Sequence, residues 1–233
     1  MTKLRIVQAV CFFLMLAAAA FVLLSHNEAS INVHNAESYD ACYKLTAKRD
    51  LLALMMAYPE HITGLEKGED GMVYIRAPEP EFSDARPDTA RTAAALALDV
   101  QEIDTAIPSG VVNAGLETLL VPLASLDACI RCSPDYMTLR TFALAHSVDV
   151  VVIYTRETEF PGHDLHTRVF APTFGYLEDP ATGSGNAALG NFLIRQNLWT
   201  NRTLVIEQGP DRENPNVVRL LRPEDGGLMF GGR

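Results

Sequence analysis

The segment Leu177-Glu178-Asp179-Pro180-Ala181-Thr182-Gly183-Ser184-Gly185-Asn186-Ala187-Ala188 limits what this chain can fold into more than any other. It closes a strand-like run, turns through Asp-Pro and small residues, and opens a helix. Backbone N–H groups in the first turn of a helix lack intrahelical partners and lie at the positive end of the helix dipole. Gly183, Ser184 and Gly185 can therefore hold a carboxylate or phosphate. Asp179 adds a titratable group at the rim, and a missing Cβ lets a ligand approach the glycine backbone and permits positive φ. A plainer reading fits the same residues: an Asp-Pro turn followed by a helix capped by Thr182 or Ser184. The segment taken alone leaves both open.

Composition removes several classes of function. The 233 residues are 48% hydrophobic, enough for one large domain or two small ones. Lys and Arg total 19 against 29 Asp and Glu, a formal net charge of −10, and no basic cluster with interleaved aromatics occurs, which argues against nucleic-acid binding. Of four cysteines only Cys129 and Cys132 form a C-x-x-C. Without a second pair or a His at ligand spacing it reads as two thiols on a short helical turn rather than as a zinc or redox site.

Patterning supplies the elements. Ala29 to His34, Leu45 to Arg49 and Leu51 to Met56 read as short strands or apolar pieces, Glu66 to Gly71 as a charged turn, and Met72 to Arg76 as a strand. Pro87 to Asp99 is helical by composition, and Asp99 to Pro108 is a linker into a second unit. That unit carries strands near Val111 to Asn113, Thr118 to Pro122, Val148 to Tyr154, Thr167 to Phe170, Leu204 to Gln208 and Val217 to Leu221. Its helices are expected near Pro134 to His146 and from about Ser184 to Gln196.

Arg168-Val169-Phe170-Ala171-Pro172 leading into Gly175 to Ser184 resembles the second-half signature of the PhzF-like family, the phenazine-biosynthesis relatives of diaminopimelate epimerase. Val112-Asn113-Ala114-Gly115, Leu119 to Leu123, Val148 to Tyr154 and Ile206-Glu207-Gln208-Gly209 follow in the family's order, so the resemblance runs from about Gly71 to the end. It implies an α+β fold of the diaminopimelate epimerase-like kind, two pseudo-symmetric lobes each with a barrel-like sheet around a central helix. The expected division is a truncated first lobe over 1–107 and a second lobe over 108–233. The implied activity is isomerase or epimerase chemistry on a small carboxylated metabolite in the cleft between lobes, by acid–base proton transfer without cofactor or metal. Asp179 and Ser184 match the family's second-lobe catalytic Asp and Ser, with Thr182, Gly183 and Gly185 as substrate-binding backbone around them.

The first-lobe half of the site matches poorly. The family's Asn-Leu-Ser-Glu-Thr-Ala motif, which carries the proton-moving Glu, has no counterpart, and a gapless alignment of Cys11 to Leu24 with the family's Cys-Gly-His loop and helix puts Phe12 and Phe13 where Gly and His belong. The run Ile6 to Leu24 also resembles a signal anchor behind Lys3 and Arg5. The buried-helix reading is favoured over a membrane segment through Ala9 to Leu24, and cytoplasmic placement over an anchored one. Relatives usually continue beyond Phe230-Gly231-Gly232-Arg233 through a last strand, so exposed sheet edges are expected, covered by a second copy in a homodimer or by a membrane surface. A catalytically inactive binding or assembly module that retains the anion pocket is the alternative function. Among the remaining titratable groups, Glu178 reads as solvated, His163 and His166 as a polar surface turn despite their H-x-x-H spacing, and His146 as a helix C-terminal group.

Overall fold

The computed structural model describes residues 65–67 and 73–232; the stretch Ala9 to Leu24 and the strands expected between Ala29 and Met56 lie outside them. Strands dominate because β-branched runs dominate. The chain forms β1 (Leu65–Lys67), β2 (Val73–Arg76), β3 (Glu81–Ser83), β4 (Gly110–Asn113), β5 (Glu117–Pro122), β6 (Val150–Thr155), β7 (Leu165–Phe170), β8 (Glu178–Asp179), β9 (Thr203–Gln208), β10 (Asn216–Leu221) and β11 (Met229–Gly232). They make one sheet in the order β1-β2-β11-β10-β9-β7-β6-β5-β4-β3, with β8 added to β7. The β5–β6 and β7–β9 pairs are parallel, and the others are antiparallel.

Four α-helices lie among the described residues: α1 (Thr89–Ala95), α2 (Leu126–Arg131), α3 (Tyr136–Ala145) and α4 (Gly183–Arg195). Side-chain caps start the first three, with Asp88 accepting from the Arg91 amide, Ser125 from Ala128 and Asp135 from Thr138. α1 stops short of the predicted Asp99 because the chain turns left-handed at Ala97, φ 55°. His146 ends α3 as expected, its Nδ1 donating to Phe142 O at 2.9 Å.

The central strands are buried on both faces, which is why β6 reads Val-Val-Val-Ile-Tyr-Thr without alternation. Val150, Val152 and Tyr154 join the apolar cluster around α4, and Val151 and Ile153 join the opposite cluster under α1, α2 and α3. Strands from both arms of the sheet, β4 to β6 on one side and β10 and β11 on the other, touch α4. A helix embraced in this way has little room for large side chains, and every residue from Gly185 to Leu193 is buried. The central helix expected of the second lobe is therefore α4.

Close packing makes one glycine testable. A Cβ on Gly110 would sit 2.5 Å from Cε2 of Phe192, a ring 5% exposed in the core. Gly110→Ala is expected to cost about 1–3 kcal/mol by overpacking, read as a lower midpoint in urea with an unchanged slope.

One sequence expectation changes. Glu66 and Lys67, read as the start of a charged turn, belong to β1 and pair with Tyr74 and Val73. The stretch from Asp99 to Pro108, read as a linker, is ordered: Val100–Glu102 forms a 3-10 turn held by a capping box between Asp99 and Glu102, and Ile103 bridges to Leu123. No helix among the described residues is long and apolar enough to cross a membrane.

Candidate active site at the start of the central helix

Asp179, Thr182, Gly183, Ser184 and Gly185 come together where β8 turns into α4. The turn is fastened from the neighbouring strand by Gln208, fully buried on β9. Its side-chain oxygen accepts from the Thr182 amide at 3.1 Å and from Asn186 Nδ2 at 2.7 Å, and its Nε2 donates to Asp179 O at 2.7 Å. Asn186, also fully buried, donates to Thr182 O at 2.7 Å. A buried amide side chain with its donors and acceptors matched in this way costs little to bury and fixes one geometry.

Thr182 occupies the N-cap position but makes no capping bond. Its hydroxyl donates instead to Asp179 Oδ2 at 2.7 Å, while Ala181 N approaches Asp179 Oδ1 at 3.5 Å. The cap that the plainer reading assigned to Thr182 or Ser184 is thus absent, and the consequence is chemical. The amides of Gly183, Ser184 and Gly185 and the Ser184 hydroxyl have no acceptor or partner among the described residues. Uncapped amides at the positive end of a thirteen-residue helix attract an anion. Asp179, Gly183 and Ser184 are part-exposed, while Thr182 and Gly185 are buried. The exposed Tyr176 belongs to the same surroundings: partial burial and then the Asp179 carboxylate push its phenol upward.

The glycines serve packing rather than ligand approach. A Cβ on Gly183 would meet Phe230 Cε2 at 2.1 Å, and one on Gly185 would meet Val152 Cγ2 at 3.2 Å. Neither glycine has positive φ. Their N–H groups, not their missing side chains, are what the turn leaves without partners.

Two further expectations are corrected here. Glu178 is not solvated: Arg168 Nε and Nη2 donate to its two oxygens at 2.8 and 2.7 Å. His163 lies in the part-exposed loop after Pro161-Gly162, as read, but His166 does not. His166 is fully buried on β7, with Nδ1 2.9 Å from Glu207 Oε2 and Nε2 2.8 Å from Gly209 O. His163 Nδ1 donates to the other Glu207 oxygen at 2.9 Å, and the amides of Glu159 and Phe160 complete the set at 2.9 and 2.8 Å. Burial pushes the Glu207 carboxyl upward, but these two amides and two imidazoles outweigh it and hold it below the usual carboxylate range. Sequence reasoning missed Glu207 and Gln208 as a buried polar pair, although Ile206-Glu207-Gln208-Gly209 was visible as a motif; strand alternation sends Glu207 to the histidines and Gln208 to the helix start.

The two C-x-x-C thiols are buried, Cys129 in α2 and Cys132 at its end, as expected of a short helical turn. Burial pushes Cys132 up to about 12 and Cys129 higher, so neither is a ready nucleophile. Among the described residues no three His, Cys, Asp or Glu side chains converge as metal ligands.

A large sheet wrapped on a small-residue helix, with an aspartate at that helix's uncapped end, defines an α+β protein of the diaminopimelate epimerase-like class. The sequence profile of the family described as phenazine biosynthesis-like protein, PhzC-PhzF, matches residues 51–220, and the chain belongs to that family. Among curated relatives, the uncharacterized isomerase YfhB of Bacillus subtilis is 28% identical over 162 residues, 68% of this chain and 55% of the relative. The uncharacterized isomerase mll1393 of Mesorhizobium japonicum is 30% identical over 126 residues, 52% of this chain and 42% of the relative. A PhzF-family phenazine biosynthesis protein of Bacillus anthracis superposes with a TM-score of 0.59 at 22% identity, over 72% of this chain and 59% of that one. The structure of a predicted epimerase from Pseudomonas aeruginosa gives 0.58 at 23% identity, over 72% and 58%. The chain thus spans about half the length of the curated relatives it matches.

Proposed function

We propose that this chain is an isomerase or epimerase that moves a proton on a small carboxylated metabolite without a cofactor, and that the β8–α4 turn is one wall of its site. The observation that carries the reading is the uncapped first turn of α4 beside Asp179. In this reading the amides of Gly183 to Gly185 hold the substrate carboxylate, and Ser184 donates to charge that develops as the adjacent C–H bond breaks. The proton leaves carbon to a carboxyl group and is returned at another carbon or face. Asp179, held in place by Thr182 and by the Gln208 clamp on its backbone, positions or exchanges that proton. The isomerase names of the relatives support the reaction class.

The sequence favours one alternative, a binding module, because Phe12 and Phe13 stand where the family's Gly and His align. Incubation in D2O with a panel of small carboxylic acids bearing an acidic C–H separates the two. The enzyme reading expects time-dependent incorporation of deuterium into one of them, seen by mass spectrometry. Ligand-induced thermal stabilisation without incorporation would replace it by the binding reading.

A further inference from the structure

β8 is only two residues long, and its register on β7 consists of Val169 opposite Asp179 and Phe170 opposite Glu178. Two pairs hold a strand weakly, yet this strand carries Asp179. Successive strand residues face opposite sides of a sheet, so Asp179 turns with Val169 toward α4 and Glu178 turns with Phe170 toward α2. On that rear side Glu178 meets Arg168, a residue 6% exposed. The contact is a bidentate fork, Nε to Oε1 at 2.8 Å and Nη2 to Oε2 at 2.7 Å, the geometry in which Arg and carboxylate bind most tightly. The third nitrogen, Nη1, donates to the carbonyls of Ile130 at 2.9 Å, Cys129 at 3.2 Å and Cys132, groups at the C-terminal end of α2 that have lost their helical partners. The guanidinium carbon also lies 5.1 Å from the centre of the Phe170 ring.

We propose that Arg168 and Glu178 are a positioning pair for Asp179: the fork clamps β8 from the face opposite the site, and the α2 carbonyls fix the fork. Every donor nitrogen of Arg168 is then engaged, which an ammonium could not reproduce. The pair touches no reacting atom and acts through the two-residue strand. Its importance for turnover rests on the reading of Asp179 given above, but the clamp itself stands on geometry and is tested without substrate.

Hydrogen–deuterium exchange on Glu178→Gln and Arg168→Lys supplies the test. The hydrogen-bonded amides of the turn, Thr182 and Asn186, are expected to exchange at least tenfold faster in both variants, while those of β5 and β6 keep their wild-type rates. Wild-type rates at Thr182 and Asn186 would overturn the proposal. So would equal acceleration throughout, or failure of both variants to fold, because the pair would then be a prop for the whole sheet. In a chain active in the deuterium wash-in assay, the variants should lower kcat more than they raise KM. An inactive wild type would sink the proposed function and leave the exchange result to decide the clamp.

Discussion

Glu207→Ala is expected to destabilise the fold by about 3–5 kcal/mol, the sum of several buried donors left unsatisfied at about 1–3 kcal/mol each. At roughly 2–4 °C per kcal/mol for a domain of this size, the thermal midpoint should fall by about 6–20 °C. The reason is how many groups lose their acceptor at once. The Glu159 and Phe160 amides and both His163 and His166 donate to this one carboxylate, and His166 has no exposure to water. The same contacts give a pH dependence whose sign is fixed. Glu207 titrates below its ordinary range when folded, so it binds protons more weakly in the native state than in the unfolded one. Its contribution is fully present above the unfolded value of about 4.3 and is lost as pH falls through the folded value. Thermal scans between about pH 3 and 6 should show wild type losing stability below about pH 4.3, and Glu207→Gln should flatten that fall. A variant whose midpoint matches wild type at neutral pH would contradict the account of this cluster.

Asp179→Ala should reduce deuterium incorporation by about 10²- to 10⁴-fold, the range expected for a group that takes part in proton transfer. Stability should change by only about 1 kcal/mol, since the side chain gives up one good hydrogen bond, to the Thr182 hydroxyl, at a part-exposed position. Asp179→Asn sharpens the comparison. It keeps an acceptor for Thr182 and removes the titratable group, so it should fold like wild type and exchange like the Ala variant. Near-wild-type incorporation by Asp179→Asn would remove Asp179 from proton transfer and leave it as an anchor of the turn.

Most of the scaffold was legible because its strands are buried on both faces and announce themselves as β-branched runs. The predicted strands at Thr118 to Pro122, Val148 to Tyr154 and Leu204 to Gln208 fall within two residues of β5, β6 and β9. Short elements were missed for a physical reason. β8 and β3 are two and three residues long, and their extended state comes from neighbours rather than from propensity. Of α2 only the C-x-x-C was read as a short helical turn, and its start at the Ser125 cap was missed.

The site was legible along the chain and illegible across it. Asp179, Thr182 and Ser184 lie within one loop, so spacing brought them together. Gln208, which clamps that loop, is 29 positions from Asp179, and Glu207 is 41 from His166. Polarity suggested a surface for His166 and Glu178, where parallel and antiparallel pairing instead supplies each with an opposite charge or acceptor. Thr182 illustrates the finer limit: its residue type favours a cap, but Asp179 competes for its hydroxyl and leaves the first turn of α4 without one.

The uncapped turn is the claim on which the functional reading depends, and amide chemical shifts report on it directly. Titrating the isotope-labelled chain with succinate, a small carboxylate with no further functional groups, should move the amide signals of Gly183, Ser184 and Gly185 saturably, while those of β5 and β6 stay still. Unmoved signals at these three residues, with or without shifts elsewhere, would contradict the assignment of this helix start as the carboxylate site.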